Sequence, residues 1–317
     1  GQARHSCLGR HDEDRRLIAQ TADRRMPVTL VAIWVRAPGP YRELIMASDS
    51  RVKAGPDYSD CNAKMLALSR PATAVAMSGD ASEAYSFLLQ ILATSSLLDG
   101  HANGRTDLRG LADDLKPVLQ DTRFRSYSEI TRKRTEKPPT LDVVLAGWSW
   151  RRSRFEGYSY GFNDSGDVVK KSLRELDEQT AYGVYFAGSG AREALNRLHR
   201  ILREEGLPRP KAGDPDARKK ARTYFLDWQP LQILLDISAD RTQTSIGGPP
   251  QILRMYQYGQ TETFVWQDDN GVRYYAGRRL GDKERSDRRV LRWVSDRPEI
   301  RHSDSSIAAT AQGWEAL

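Results

Sequence analysis

A carboxylate and a lysine stand at the ends of two predicted strands. Asp49 follows an apolar strand in the run Met46-Ala-Ser-Asp-Ser-Arg51, and Lys64 opens the next strand 15 positions later (64 − 49 = 15). Burying both charges is costly unless they pair, and a buried, paired lysine can lower the pKa of a neighbouring hydroxyl. The alternative is a solvent-exposed ion pair at a sheet edge, which would carry no chemistry.

Composition excludes several classes of protein. The chain has 317 residues, 39% hydrophobic and 29% charged, with a formal charge of +7. No apolar run approaches the roughly 20 residues of a membrane span, and residues 1–25 lack the apolar centre of a secretory leader. Only two cysteines are present, Cys7 and Cys61, which favours a reducing cytoplasm. We therefore expect a soluble, cytoplasmic protein without a membrane partner.

Other reactive side chains carry weaker signals. His5, Cys7 and His11 lie in an irregular leader, so we expect no metal site there. The Gly188-Ser-Gly190 turn is similar to a dinucleotide-binding turn, but Glu193 stands at the third glycine position. Cys61 has no histidine nearby in sequence and is interpreted as a bystander. We therefore predict no cofactor.

Hydrophobic periodicity predicts an ordered series of elements. The predicted strands are 28–35, 44–48, 64–68, 73–78, about 140–149, 155–161 and 167–171, 183–187, and near 251–257, 262–267 and 272–276. The predicted helices are 80–95, 107–120, 191–205 and 218–238, with an exposed loop at 207–217. Strands, two helices, strands, two helices and strands suit an α+β fold, a four-layer αββα sandwich.

Three regions follow from this pattern. Residues 1–25 are interpreted as a leader, a propeptide or a misplaced start before a true first residue Met26. Residues 26–277 are interpreted as the domain and residues 278–317 as a charged C-terminal tail. The tail contains many arginines but also acids, which favours a solvated segment. A nucleic-acid patch on this tail is the less favoured alternative.

Several motifs together resemble the proteasome β-type N-terminal-nucleophile (Ntn) hydrolases, and most of all the bacterial Anbu and HslV-like branch. They appear in the family's order over roughly residues 28–258. The motifs are the strand–turn–strand 29–49 with S-D-S-R at 48–51, K-M at 64–65, A-M-S-G-D at 76–80, the strands 142–148 and 158–168, A-G-S-G at 187–190 and S-I-G-G-P-P at 245–250.

The resemblance implies a role for particular residues. Lys64 would stabilise the alkoxide of the nucleophile, and Asp49 would hold Lys64. Gly79 would supply the oxyanion N–H, and Ser189 would position the α-amine that acts as general base. Ser245 with Asp240, or with Asp236 instead, would complete the supporting shell.

The nucleophile departs from the family's pattern. Thr29 is the only threonine on the first predicted strand, and alternation of side chains would point both the first and the third family position into the site. If Thr29 is position one, the Val28–Thr29 bond must be cut. If Thr29 is position three, Pro27 occupies position one, no hydroxyl is available, and the site is inactive.

The resemblance implies a self-processing threonine peptidase or amidohydrolase acting on peptide or protein substrates. It also implies a homo-oligomer, either a ring or a helical stack, and leaves open whether an ATPase unfoldase assists. The alternative is a catalytically silent assembly or interaction protein with the same fold.

Overall fold

The structure is a computed structural model that describes residues 29–54, 57–98, 100, 105–126, 140–176, 182–207, 224–240, 242, 244–281, 283–284, 288–302 and 315–316. The predicted leader, with His5, Cys7 and His11, lies outside the described residues, as does nearly all of the predicted loop 207–217. No helix among those described is long and apolar enough to cross a membrane.

Two antiparallel sheets form the centre of the fold, with strand orders β10-β1-β2-β11-β12 and β5-β6-β7-β8-β9. The first sheet consists of β1 (Leu30–Arg36), β2 (Glu43–Ser48), β10 (Val184–Gly188), β11 (Gln251–Tyr256) and β12 (Thr261–Thr263). The second consists of β5 (Met65–Ala67), β6 (Thr73–Gly79), β7 (Leu141–Ser149), β8 (Arg154–Phe162) and β9 (Val168–Ser172). A small hairpin, β3 (Val52–Ala54) and β4 (Asp57–Ser59), follows β2. The strands predicted before residue 190 are confirmed to within one or two residues.

The two sheets pack face to face. Val31, Ile33 and Met46 of the first sheet share a buried cluster with Ala76 and Val144 of the second. These residues recur at every second position along their strands, so one face of each strand enters this cluster. The opposite faces of both sheets are covered by helices.

Helices α1 (Ala81–Ser95) and α2 (Leu108–Ser126) pack on the second sheet, and α3 (Ala191–Glu204) and α4 (Gln229–Ala239) pack on the first. A single turn of 3-10 helix, Arg174–Leu176, follows β9. The mixed α+β class predicted from the sequence is confirmed.

The predicted start of α4 near Arg218 is wrong. Residues 224–228 are not helical, and the helix begins at Gln229 with Pro230 in its first turn. Proline lacks an N–H and its ring collides with the carbonyl four residues earlier, so a helix running through Leu226 into Pro230 would be broken. At the first turn the missing N–H has no helical partner to lose.

The segment beyond Arg278 is not simply a solvated tail. A third sheet, in the order β15-β14-β13-β16-β17-β18, is formed by β13 (Val265–Gln267), β14 (Arg273–Tyr275), β15 (Arg278–Arg279), β16 (Val290–Val294), β17 (Arg297–Arg301) and β18 (Glu315–Ala316). Leu291 and Ile300 are buried in the cluster that also contains residues of α3 and α4. Alternation places these apolar side chains on one face and arginines such as Arg292 on the other.

Candidate active site

Lys64 lies between a hydroxyl and a carboxylate. Its Nζ donates hydrogen bonds to Thr29 Oγ1 at 2.9 Å and to Asp49 Oδ1 at 2.9 Å. Thr29 directly precedes β1, Asp49 directly follows β2, and Lys64 directly precedes β5, so the site joins strand ends from both central sheets. The side chains of Lys64 and Asp49 are only 1% and 0% exposed, which rules out the solvent-exposed ion pair considered from sequence.

Asp49 is surrounded by hydrogen-bond donors. Its Oδ1 accepts from the Leu30 N–H at 3.0 Å as well as from Lys64, and its Oδ2 accepts from the N–H groups of Arg51 and Gly247, each at 3.2 Å. Burial raises the pKa of the Asp49 carboxyl, and the Lys64 ammonium and the Leu30 and Gly247 N–H groups oppose that rise. Because every one of these partners is a donor, the arrangement suits the ionised carboxylate.

Burial also acts on the lysine. Desolvation lowers the pKa of the Lys64 ammonium from its ordinary value of 10.5, and the Asp49 carboxylate opposes the shift. An ammonium with a lowered pKa hydrogen-bonded to Thr29 Oγ1 is a strong donor, and it stabilises negative charge as it develops on that oxygen.

The turn between β10 and α3 surrounds the backbone of Thr29. The Thr29 N–H donates to Ser189 Oγ at 3.5 Å, and the Gly190 N–H donates to Thr29 O at 3.5 Å. Gly188 has φ +94°, and a Cβ at this position would lie 2.1 Å from Thr29 O. Glycine is therefore required beside the carbonyl of Thr29. The structure thus brings the predicted Ser189 to the Thr29 nitrogen.

Gly79 closes β6 with a backbone that other residues rarely adopt. Its φ is +108°, and a Cβ there would lie 2.2 Å from Thr140 O. The N–H of Met77 donates to Lys64 O and that of Asp80 to Thr140 O, both at 2.9 Å. Because N–H groups alternate sides along a strand, the Gly79 N–H points to the Lys64 side of β6. The oxyanion role of Gly79 stays a prediction.

Of the predicted supporting residues, Ser245 lies near Asp49, whereas Asp240 contacts other residues. Ser245 is half-buried in the turn that carries Gly247, whose N–H binds Asp49. Asp240 Oδ1 instead accepts from the N–H and the hydroxyl of Thr242, at 2.9 Å and 2.7 Å, and its Oδ2 lies 3.9 Å from Arg197. The supporting roles of Ser245 and Asp240 therefore stay predictions.

Gln251 is a site residue that the sequence did not indicate. Its Oε1 accepts from the Lys64 N–H at 3.0 Å, and its Nε2 donates to Asn62 O at 2.7 Å and to Asp49 O at 3.4 Å. Gln251 is the first residue of β11. It lies between Asp49, at the end of β2, and Lys64, at the start of β5. One buried carboxamide therefore fixes the backbone of both charged residues.

Comparison with family models and with curated proteins gave no match. The contacts around Thr29 are therefore the main evidence for function.

The remaining reactive groups lie apart from this arrangement or outside the described residues. Cys61 is exposed, and its Sγ lies 3.2 Å from Ser59 Oγ. Within the described parts of the chain, no three His, Cys, Asp or Glu side chains are grouped so as to hold a metal ion. The described residues therefore offer the chemistry of the Thr29 hydroxyl beside the buried Lys64 ammonium.

Proposed function

We propose that this chain is a proteasome-like Ntn hydrolase of the Anbu and HslV-like type, a self-processing threonine peptidase or amidohydrolase acting in the cytoplasm. The observation that carries the proposal is the position of Lys64 Nζ, 2.9 Å from both Thr29 Oγ1 and Asp49 Oδ1 in a buried setting. The helix, sheet, sheet and helix layers support the four-layer αββα sandwich of that superfamily.

The proposed reaction uses the groups described around Thr29. The α-amine of a processed Thr29 accepts the hydroxyl proton, and Oγ1 attacks the carbonyl carbon of the scissile amide. The Gly79 N–H stabilises the oxyanion of the tetrahedral intermediate, and Lys64 stabilises the developing charge on Oγ1. Collapse expels the amine, which takes the proton from the α-amine, and leaves an ester on Thr29. Water then hydrolyses that ester and regenerates the hydroxyl.

The same geometry supports removal of the segment before Thr29. Thr29 Oγ1 contacts Lys64 in the uncut chain, and the carbonyl carbon of Val28 is covalently bonded to the Thr29 nitrogen. Attack of Oγ1 on the Val28 carbonyl carbon would transfer the acyl group from the Thr29 nitrogen to Oγ1, which breaks the peptide bond and frees the α-amine. Water would then hydrolyse the ester, release the preceding segment as a carboxylic acid and regenerate the hydroxyl.

The state of residue 29 after expression tests the proposal. Intact mass and N-terminal sequencing of the purified wild type should give a chain beginning at Thr29. Thr29→Ala should retain the preceding segment, Thr29→Ser should still be cut, and the control Thr263→Ala, on the edge strand β12, should be cut like the wild type. A wild type that begins at Pro27, or keeps residue 28 while folded and assembled, would instead favour the catalytically silent alternative.

We also propose that the chain assembles into a homo-oligomeric ring or helical stack. Leu89 and Leu97, in and just after α1, are 58% and 83% exposed, and Phe124 of α2 is 61% exposed. Large apolar side chains on one helical layer are typical of surfaces that are covered in an assembly.

A further inference from the structure

The turn between β14 and β15 has an unusual backbone and position. Its two central residues, Ala276 and Gly277, have φ +49° and +84°, and Tyr275 pairs with Arg278 on either side. Two successive left-handed residues form the tight hairpin turn that matches the twist of the adjoining strands. The turn therefore projects from the third sheet as a compact, rigid tip.

This tip contacts the segments that carry the catalytic charges. A Cβ at Gly277 would lie 2.6 Å from Ser50 Cβ and 3.1 Å from Asn62 O. Ser50 directly follows Asp49, and Asn62 lies two residues before Lys64. The N–H of Asn62 also donates to Ser50 O at 3.2 Å, so the two contacted residues are bonded to each other.

A second turn confines Ser50 further. Gly248 has φ +75°, and a Cβ there would lie 2.4 Å from Ser50 Oγ. The N–H of Ser50 donates to Gly247 O at 3.1 Å. Ser50 is thus held between two turns, centred on Gly248 and Gly277, that are distant from it in sequence.

We infer that the third sheet is part of the catalytic apparatus and that Gly277 is a positioning residue for Asp49 and Lys64. The expected effect on catalysis rests on the proposed function. The positioning of the backbone beside Asp49 and Lys64 rests on these contacts alone. Because Gly277 approaches Ser50 and Asn62 more closely than any side chain would allow, bulk at this position must displace the backbone beside both charges. Displacement of about 1 Å in a catalytic arrangement can lower the rate on the order of a hundredfold.

Gly271 provides a matched control in the same sheet. It lies in the turn between β13 and β14 with φ +78°, and a Cβ there would meet only Gln267 Nε2, at 4.0 Å. Asparagine tolerates the left-handed region, so Gly277→Asn and Gly271→Asn differ mainly in what the new side chain meets. Gly277→Asn should lower kcat for peptide hydrolysis about tenfold or more with KM changed much less, whereas Gly271→Asn should stay within about twofold.

A second variant tests the contact itself. Ser50→Gly removes the Cβ that Gly277 approaches, so Ser50→Gly/Gly277→Asn should recover part of the lost kcat and of any lost soluble yield. In the control pair, adding Gly271→Asn to Ser50→Gly should leave kcat nearly unchanged. Equal kcat in the two asparagine variants, or the absence of rescue in the double variant, would overturn the inference.

Hydrogen exchange separates this inference from the proposed function. In full-length protein, Gly277→Asn should speed exchange of the amides of Ser50, Asn62 and Lys64, and Gly271→Asn should not. Faster exchange of these three amides in Gly277→Asn alone would support the positioning role even if the wild type neither cuts itself before Thr29 nor hydrolyses peptides. That result would reject only the peptidase. Unchanged exchange in Gly277→Asn, together with normal wild-type activity, would reject the positioning role alone.

Discussion

The side-chain oxygen of Gln251 accepts a hydrogen bond from the backbone N–H of Lys64 at 3.0 Å, across 187 residues of sequence. The nitrogen of the same carboxamide holds the carbonyl of Asn62 at 2.7 Å. The direction of the Lys64 side chain depends on its own backbone, so this carboxamide determines where the ammonium meets Thr29.

Replacing Gln251 should therefore affect both stability and catalysis. Gln251→Ala leaves a buried N–H and a buried carbonyl without their partner, which should lower the free energy of unfolding by about 1–3 kcal/mol. The ammonium should also shift, lowering kcat/KM by about tenfold or more. Urea unfolding and peptide hydrolysis measure the two effects, with exposed Gln260→Ala as the control. Full activity in Gln251→Ala would contradict this role.

Lys64→Ala should abolish peptidase activity and leave assembly intact, because it removes the ammonium that donates to Thr29 Oγ1. Lys53→Ala, on the exposed β3, is the matched control and should retain wild-type activity. Hydrolysis of a fluorogenic peptide panel and gel filtration report the two properties. Undiminished hydrolysis by Lys64→Ala would end the catalytic interpretation of this pair.

Asp49→Asn should abolish catalysis and also lower the free energy of unfolding. Loss of the carboxylate leaves the buried Lys64 ammonium without its counter-charge, at a cost of about 3–5 kcal/mol. In Asp49→Asn/Lys64→Met no charge remains buried, so the double variant should recover much of that stability while staying inactive. Denaturant unfolding of wild type, both single variants and the double variant tests the coupling; strictly additive losses would refute it.

The rate of hydrolysis should depend on pH in a bell-shaped manner. The α-amine of processed Thr29 must be neutral to accept a proton, so kcat/KM should rise through about pH 7.7–8.0. Burial lowers the pKa of Lys64 below 10.5, so its ammonium is lost, and kcat/KM should fall, at a lower pH than for an exposed lysine. Initial rates between about pH 6 and 10.5 should show both limbs. A plateau that persists to the alkaline end of this range would contradict the role of Lys64.

Light scattering tests the assembly directly. The purified protein should have a mass several times that of the 35.8 kDa chain. Leu89→Glu and Leu97→Glu place charges on exposed apolar positions and should weaken association if this layer is the interface. A strictly monomeric wild type at micromolar concentration would argue against the Anbu-like assembly.

The Asp49–Lys64 pair could be predicted from local sequence, because each residue stands at the end of a recognisable strand. Asp49, Lys64 and the apolar strands beside them can be identified within short windows, because runs of apolar and β-branched residues indicate these strands. The role of Lys64 beside Thr29 was implied only by the resemblance to the Ntn hydrolases.

The residues that the sequence failed to indicate act through distant contacts. Gln251 and Gly277 have ordinary local surroundings, and their importance comes from Lys64 and Ser50, far earlier in the chain. The later strands of the third sheet, β16 and β17, were missed for a different reason. In Val290-Leu-Arg-Trp-Val294 apolar and basic residues share a short strand, and the high charge of the whole segment obscured the buried face.

The wide spread of the site along the chain has a consequence for when the protein can become active. Thr29 emerges early in synthesis, whereas Gln251 and Gly277 emerge only after most of the chain has been made. Contacts this far apart in sequence form late in folding, since the intervening segments must be ordered first. A nascent or partly folded chain therefore lacks the arrangement that activates the hydroxyl. Cleavage before Thr29 would then serve as a record that the whole domain had folded.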